Sequence, residues 1–174
     1  SYIATHQPKT AVIVGAGYIG LEMAEQLKAQ GIDVTVLQRG QHPMPHLDWD
    51  MSIRIEDEMR KQGIHFRPEE TIAEVSGTTR LESAVTTKGE VLEADLYIIA
   101  TGVLPNTALA TSIGVDLGET GAIVTDSTMQ TNLEGVYAVG DVAESFHVIT
   151  GKPIYRPMAT TANKMGRIAG DAMT

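Results

Sequence analysis

Residues Ala11 to Glu22 read AVIVGAGYIGLE, and no other stretch of this chain restricts its fold so strongly. The apolar run Val12-Ile13-Val14 leads directly into Gly15-x-Gly17-x-x-Gly20. An amphipathic helical pattern follows, with Leu21, Met23, Ala24 and Leu27 apolar and Glu22, Glu25, Gln26 and Lys28 polar. Strand, glycine turn and helix in this order give each glycine a separate task. Gly15 permits a sharp turn, Gly17 lets backbone approach a pyrophosphate, and Gly20 lets the helix pack closely on the strand. A phosphate placed there meets unpaired N–H groups and the positive end of the helix dipole. The competing reading is a tight turn in an ordinary α/β domain. The flanking strand and helix, and a second strand on schedule, weigh against it.

That second strand is Asp33 to Leu37, and its C-terminal end is where a dinucleotide fold reads the adenosine ribose. An NAD-type site places an acid there, about 20 residues beyond the glycines, to accept from the ribose 2′-OH. Here the positions hold Gln38 and Arg39. A neutral amide beside a guanidinium suits a 2′-phosphate better than a free diol, because arginine offers a bidentate charge-assisted contact. The residues therefore favour NADPH over NADH. The alternative remains open at this level: Arg39 solvated on the surface and Gln38 bonded to an NAD diol.

Composition fits an α/β protein and removes several function classes. At 174 residues the chain holds one domain, or one domain and part of another, and 43% hydrophobic residues can supply a core. A net charge of −9 without a basic stripe argues against nucleic acid or an anionic membrane as partner. No apolar run approaches the roughly 20 residues needed to span a bilayer, and no signal peptide is read. With no cysteine there is no disulfide frame, thiolate metal site or cysteine nucleophile in these residues. A cytoplasmic setting is the expectation.

Along the chain, residues 1–9 read as a linker into the first strand. Gln41 to His46 is a loop by its prolines. A helix follows with Asp48 or Asp50 near its start and Met51, Ile53, Ile55 and Met59 on its apolar side, closing at Gly63. Ile64-His65-Phe66 is a short third strand. Thr71 to Leu92 alternates in a β-rich manner with a hairpin turn at Lys88-Gly89, a meander in place of a crossover helix. Ala94 to Gly102 reads as a buried strand ending in a second glycine turn. Beyond it, Gly121 to Asp126 and the apolar part of Thr131 to Asp141 read as strands. A last helix is predicted from Thr160 to about Ala172, with Thr160 and Thr161 competent to cap it. Two small strands and a helix seldom fold unaided, so this part looks like a piece of a larger domain.

Taken together, GAGYIGLE (Gly15–Glu22), ATG followed by PNT (Ala100–Gly102, Pro105–Thr107), TNLEGVYAVGD (Thr131–Asp141) and MATTANKMGR (Met158–Arg167) resemble the flavin-dependent pyridine nucleotide–disulfide oxidoreductases. The last motif points to the branch of CoA-disulfide reductases, NADH oxidases and NADH peroxidases. The resemblance covers nearly the whole chain. It implies a Rossmann-like NAD(P)-binding domain over 10–103, with parallel sheet and β-meander crossover, then the C-terminal part of an FAD-binding domain over 104–174. It also implies that the chain is a fragment, inactive alone, whose parent uses FAD, carries its redox cysteine elsewhere and forms a homodimer through a domain absent here.

The resemblance further assigns roles at matching positions. Gly15, Gly17, Tyr18, Ile19, Gly20, Glu22, Gln38, Arg39 and Gly102 fall to the NAD(P) site. Tyr18 is similar to the tyrosine that covers the flavin, and Glu22 to the helix glutamate that pairs with a lysine on the FAD domain. Their plainer readings are an exposed aromatic and a solvated first-turn acid. Gly140, Asp141, Met158, Ala159 and Thr160 fall to the FAD site. There Asp141 would accept from the ribityl chain and the helix N-terminus would face the flavin pyrimidine edge.

His42 and His46 with Asp48 and Asp50 form a spacing that could suggest a metal. The prolines hold the histidines in a loop, however, and the family implies no metal there; contact with the adenosine end or plain exposure is the expectation. The 8 Met residues read as core filler. Three functions are compatible with these residues. The first is the NAD(P)H-binding portion of a flavoprotein that reduces a disulfide, peroxide or oxygen. The second is a portion of a flavin reductase that serves a small iron–sulfur protein. The third is a stand-alone, non-catalytic nucleotide module.

Overall fold

The computed structural model describes residues 2–174, which form two compact units, one ending at Gly102 and the other starting at Val103. In the first unit a short helix α1 (Tyr2–His6) precedes β1 (Thr10–Val14), within the segment read from sequence as a linker. Ile3 of this helix packs against the core. The strands β1, β2 (Asp33–Gln38), β3 (His65–Pro68) and β7 (Leu96–Ile99) make a parallel sheet in the order β3-β2-β1-β7. Alternate residues of β1 face opposite ways. Ala11 and Ile13 join Ala24 and Leu27 of α2 (Tyr18–Ala29) and Met59 of α3 (Trp49–Lys61) on one side. On the other, Val12, Val14 and Leu37 pack with Ile72, Leu92 and Tyr97 of the antiparallel meander β4 (Ile72–Gly77), β5 (Leu81–Thr86), β6 (Val91–Glu93) and the strand after it. A parallel sheet needs cover on both faces, and the meander supplies the second cover.

Two expectations in this unit change. The Ala94–Gly102 segment is not a buried strand: β7 bonds only β1, forms the outer strand of the sheet, and leaves Ile99 62% exposed. On α3, Met51 is exposed and Ser52 is buried instead, its hydroxyl donating to Met44 O at 3.4 Å. The first turn of that helix faces a loop, so a polar side chain with a partner suits it better than an apolar one.

In the second unit, Val115, Ile123, Ala138, Ala143 and Met165 form the core. The strands expected at Gly121–Asp126 and Thr131–Asp141 are not formed. Single bridges stand in their place, Leu117 with Ile123, Ile123 with Ala143, and Gln130 with Tyr137, because no neighbour runs alongside for longer. A short helix α4 (Ala108–Ser112) and a hairpin of β8 (Ser145–His147) and β9 (Lys152–Ile154) were not apparent in the sequence. The final helix α5 (Ala159–Ala172) matches its prediction. Its N-cap is Met158 in extended conformation, without a side-chain cap, so neither Thr160 nor Thr161 caps it. No helix among the described residues is long and apolar enough to cross a membrane.

Candidate functional site

The glycine turn joins β1 to α2 and is held from several sides. Gly15 N–H donates to Leu37 O at 2.8 Å, and Ala100 N–H donates to Val14 O at 2.8 Å. Gly15 has φ +105°, and a Cβ there would overlap Ala100 O. At Gly20 a Cβ would overlap Gly15 O, so the helix sits against the turn as closely as only glycine allows. Gly17 differs. Its backbone is ordinary extended chain (φ −85°, ψ −172°), and a Cβ there would meet no protein atom within 4 Å. Nothing among the described residues therefore requires glycine at 17.

Gly17 is the N-cap of α2, and the first helical hydrogen bond runs from Leu21 N–H to Gly17 O at 3.0 Å. By helix geometry the N–H groups of Tyr18, Ile19 and Gly20 precede that bond and have no acceptor within the helix. They are donors for an anion at this end.

At the end of β2 the side-chain oxygen of Gln38 accepts Ala16 N–H at 3.0 Å. The loop that follows is tied to the same turn by Met44 N–H, which donates to Ala16 O at 2.8 Å. Gly15, Gly17, Gln38 and Arg39 line a cleft of about 510 Å³, together with Gly40, Pro45, His46, Thr71 and the Ala100–Gly102 turn. The lining includes no carboxylate. In a chain of net charge −9 this is a local exception, and Arg39 is exposed there without an ion pair among the described residues.

Of the residues expected at the pyridine nucleotide site, Gly15, Gly17, Gln38, Arg39 and Gly102 thus meet in one cleft, and Gly20 lies beneath it. Tyr18, Ile19 and Glu22 do not line it. The Tyr18 ring, 59% exposed, rests on His46 with centroids 4.9 Å apart, and Ile19 is likewise exposed. Glu22 is exposed in the second turn of α2 rather than the first. Thr71, Gly40 and Pro45 were not singled out from sequence. The first arrives from the start of the meander and carries no local signal. His42 faces Trp49 edge-on at 6.0 Å while His46 faces Tyr18, so the two histidines serve different aromatic contacts. Among the described residues no group of three or more His, Cys, Asp or Glu side chains gathers as a metal site.

In the second unit Gly140 and Asp141 lie in a 3₁₀ turn (Gly140–Val142) packed on α5. A Cβ at Gly140 would stand 3.5 Å from Ala162 Cβ, in van der Waals contact with the start of the helix. Tyr155 Oη donates to Asp141 O at 2.9 Å. Asp141 and the Met158–Thr160 helix start thereby share one neighbourhood.

Residues 2–166 match the family described as pyridine nucleotide-disulphide oxidoreductase. The chain belongs to this family. Among relatives, the NAD(P)H sulfur oxidoreductase (CoA-dependent) of Pyrococcus abyssi is 47% identical over 170 residues, covering 97% of this chain and 38% of the relative. Of solved structures, reduced Bacillus anthracis CoADR-RHD aligns with TM-score 0.93 and 30% identity over 99% of this chain and 30% of that one. An NAD-dependent persulfide reductase from A. fulgidus aligns with TM-score 0.92 and 36% identity over 97% of this chain and 31% of that one. The chain therefore spans 38% of the length of the first curated relatives it matches. These family members are named for both NAD(P)H and NAD, so membership alone does not select the coenzyme.

Proposed function

We propose that the cleft between the glycine turn and the end of β2 binds NAD(P)H, with NADPH favoured. The chain would serve as the coenzyme-binding portion of a flavoprotein oxidoreductase. Gly17 carries this reading. It is a glycine that the protein's own packing does not require, placed at a helix N-terminus beside an acid-free cleft. A ligand with a pyrophosphate does require it, since any side chain would stand between the phosphates and the amides.

The helix-start N–H groups hold the pyrophosphate. Gln38, whose oxygen is engaged by Ala16, keeps its NH₂ donors for phosphate or ribose oxygens. Arg39 adds a charge-assisted contact for a 2′-phosphate. In the second unit the flavin of the family would be held by Gly140, Asp141 and the α5 start at Met158, Ala159 and Thr160. By the family resemblance, Tyr18 is assigned to covering a flavin ring and Glu22 to pairing with a basic group of the FAD domain. The coenzyme pair supplies hydride donation and acceptance when bound. Electrons would then pass to a disulfide, peroxide or oxygen acceptor through a cysteine, a residue these 174 lack. The whole enzyme would act as a homodimer on a small-molecule substrate, without nucleic acid or membrane.

Calorimetric titration with both coenzymes tests the proposal. NADPH should bind about tenfold more tightly than NADH, equivalent to ~1.4 kcal/mol. Gln38→Glu should reverse the order: one carboxylate oxygen can keep the Ala16 N–H while the other holds the ribose diol and repels a 2′-phosphate. Absence of binding, or tighter NADH in the unsubstituted chain, would overturn the corresponding part of the reading.

A further inference from the structure

Glu70 is 2% exposed, a carboxylate buried just after β3 and outside the cleft lining. Its oxygens accept a bidentate pair from Arg67, Nε and Nη2 each at 2.9 Å, and Lys88 Nζ approaches to 3.8 Å. Thr86, also 2% exposed, lies beside it, and Arg67 reaches on to Glu90. Such a network on the meander side could serve packing alone. Its backbone connections point elsewhere. Glu70 N–H donates to Gln38 O at 3.0 Å and Glu69 N–H to Gly40 O at 3.1 Å, so these two bonds bracket Arg39. The next residue, Thr71, lines the cleft.

The Arg39 side chain is exposed and has no ion pair among the described residues, so the backbone beneath it sets where the side chain starts out. That backbone is held by residues 69 and 70, and residue 70 is held by its buried carboxylate. We propose that Glu70 and Arg67 are positioning residues for coenzyme selection, aligning Arg39 on the 2′ position of the adenosine ribose. The proposal rests on the coenzyme-site reading above. A buried ion pair used only for packing can often be replaced by well-packed apolar groups at little cost, whereas a fork of directional bonds fixes an angle.

The experiment measures NADPH and NADH dissociation constants for the 174-residue chain, for Glu70→Gln and for Arg67→Lys, with thermal unfolding of each. With an unsubstituted preference of about tenfold, Glu70→Gln should bring the ratio to within about twofold while NADH affinity changes by less than about twofold. Arg67→Lys keeps the charge but loses the fork, and should give an intermediate ratio with a folded protein. If Glu70→Gln does not fold, Arg67→Lys decides alone. A folded variant that keeps the original ratio, or that weakens both coenzymes in parallel, overturns the positioning role. A ratio near one in the unsubstituted chain overturns the coenzyme reading and this proposal with it, and that result is read before any substitution is made.

Discussion

The side-chain oxygen of Gln38 accepts the N–H of Ala16 at 3.0 Å, so the end of β2 and the glycine turn form one hydrogen-bonded piece. Removing the amide therefore differs in kind from removing the neighbouring charge. Gln38→Ala leaves a part-buried N–H without its partner, at a cost of about 1–3 kcal/mol. Titration should show NADH and NADPH weakened together by roughly tenfold, on the 1.4 kcal/mol scale. Loss of NADPH affinity alone would mean that the two ends of the site are independent.

Arg39→Ala should act on one coenzyme only. NADPH should weaken by about tenfold and NADH by less than twofold, equivalent to a single charge-assisted contact of ~1.4 kcal/mol. Arg39 is exposed, so raising salt toward 1 M, where the screening length is about 3 Å, should erode the same NADPH advantage in the unsubstituted chain. Equal weakening of both coenzymes in the variant would reduce Arg39 to a surface charge.

Glu70 makes stability depend on acid. Burial pushes its carboxyl up, but hydrogen bonds from Thr86 and Arg67 and the charges of Arg67 and Lys88 outweigh burial and hold it below its ordinary value. A carboxylate lowered in the fold stabilises above its unfolded pKa, and that stability is lost as pH falls through the folded pKa. Glu70→Gln should cost about 3 kcal/mol at pH 7, the low end for breaking a buried pair because Arg67 keeps Glu90. Urea unfolding at several pH values should show the gap between the two proteins narrowing below the usual carboxylate range of about 4.3. A gap that stays constant down to the acid limit would contradict the sign.

Gly20 and Gly17 should separate fold from function. A Cβ at Gly20 overlaps Gly15 O, and relief requires moving α2 away from the turn. Gly20→Ala should therefore destabilise the chain by about 3 kcal/mol, at the upper end for overpacking. Denaturant midpoints check this. A neutral Gly20→Ala would show that the helix can slide at no cost.

Much of the first unit was legible because its signals are local. Ala11 and Ile13 alternate with Val12 and Val14, and Gly15, Gly17 and Gly20 mark the turn before any contact is known. What was misread depends on neighbours that sequence does not name. The apolar run of β7 looks the same whether it lies at the centre or the edge of a sheet. Ile123 and Tyr137 sit in strand-like patterns, yet each has only isolated bridges, since ladder partners make a strand. Thr71 and Pro45 reach the cleft through tertiary packing alone. Glu70, beside Pro68 and Glu69, reads as solvated until Arg67 is seen forking onto it in a buried position.

The turn at Gly17 is proposed to receive a coenzyme pyrophosphate, and Gly17→Thr removes the condition on which that depends. Threonine is β-branched, accepts the extended backbone at 17 and is as good an N-cap as glycine, so the fold should be kept within about 0.5 kcal/mol. Amide shift mapping during NADPH titration should move Gly15, Gly17 and Gly20 in the unsubstituted chain. In Gly17→Thr those shifts should vanish and affinity should fall by at least about a hundredfold, ~2.8 kcal/mol. A folded Gly17→Thr protein that binds NADPH with unchanged affinity would contradict the account.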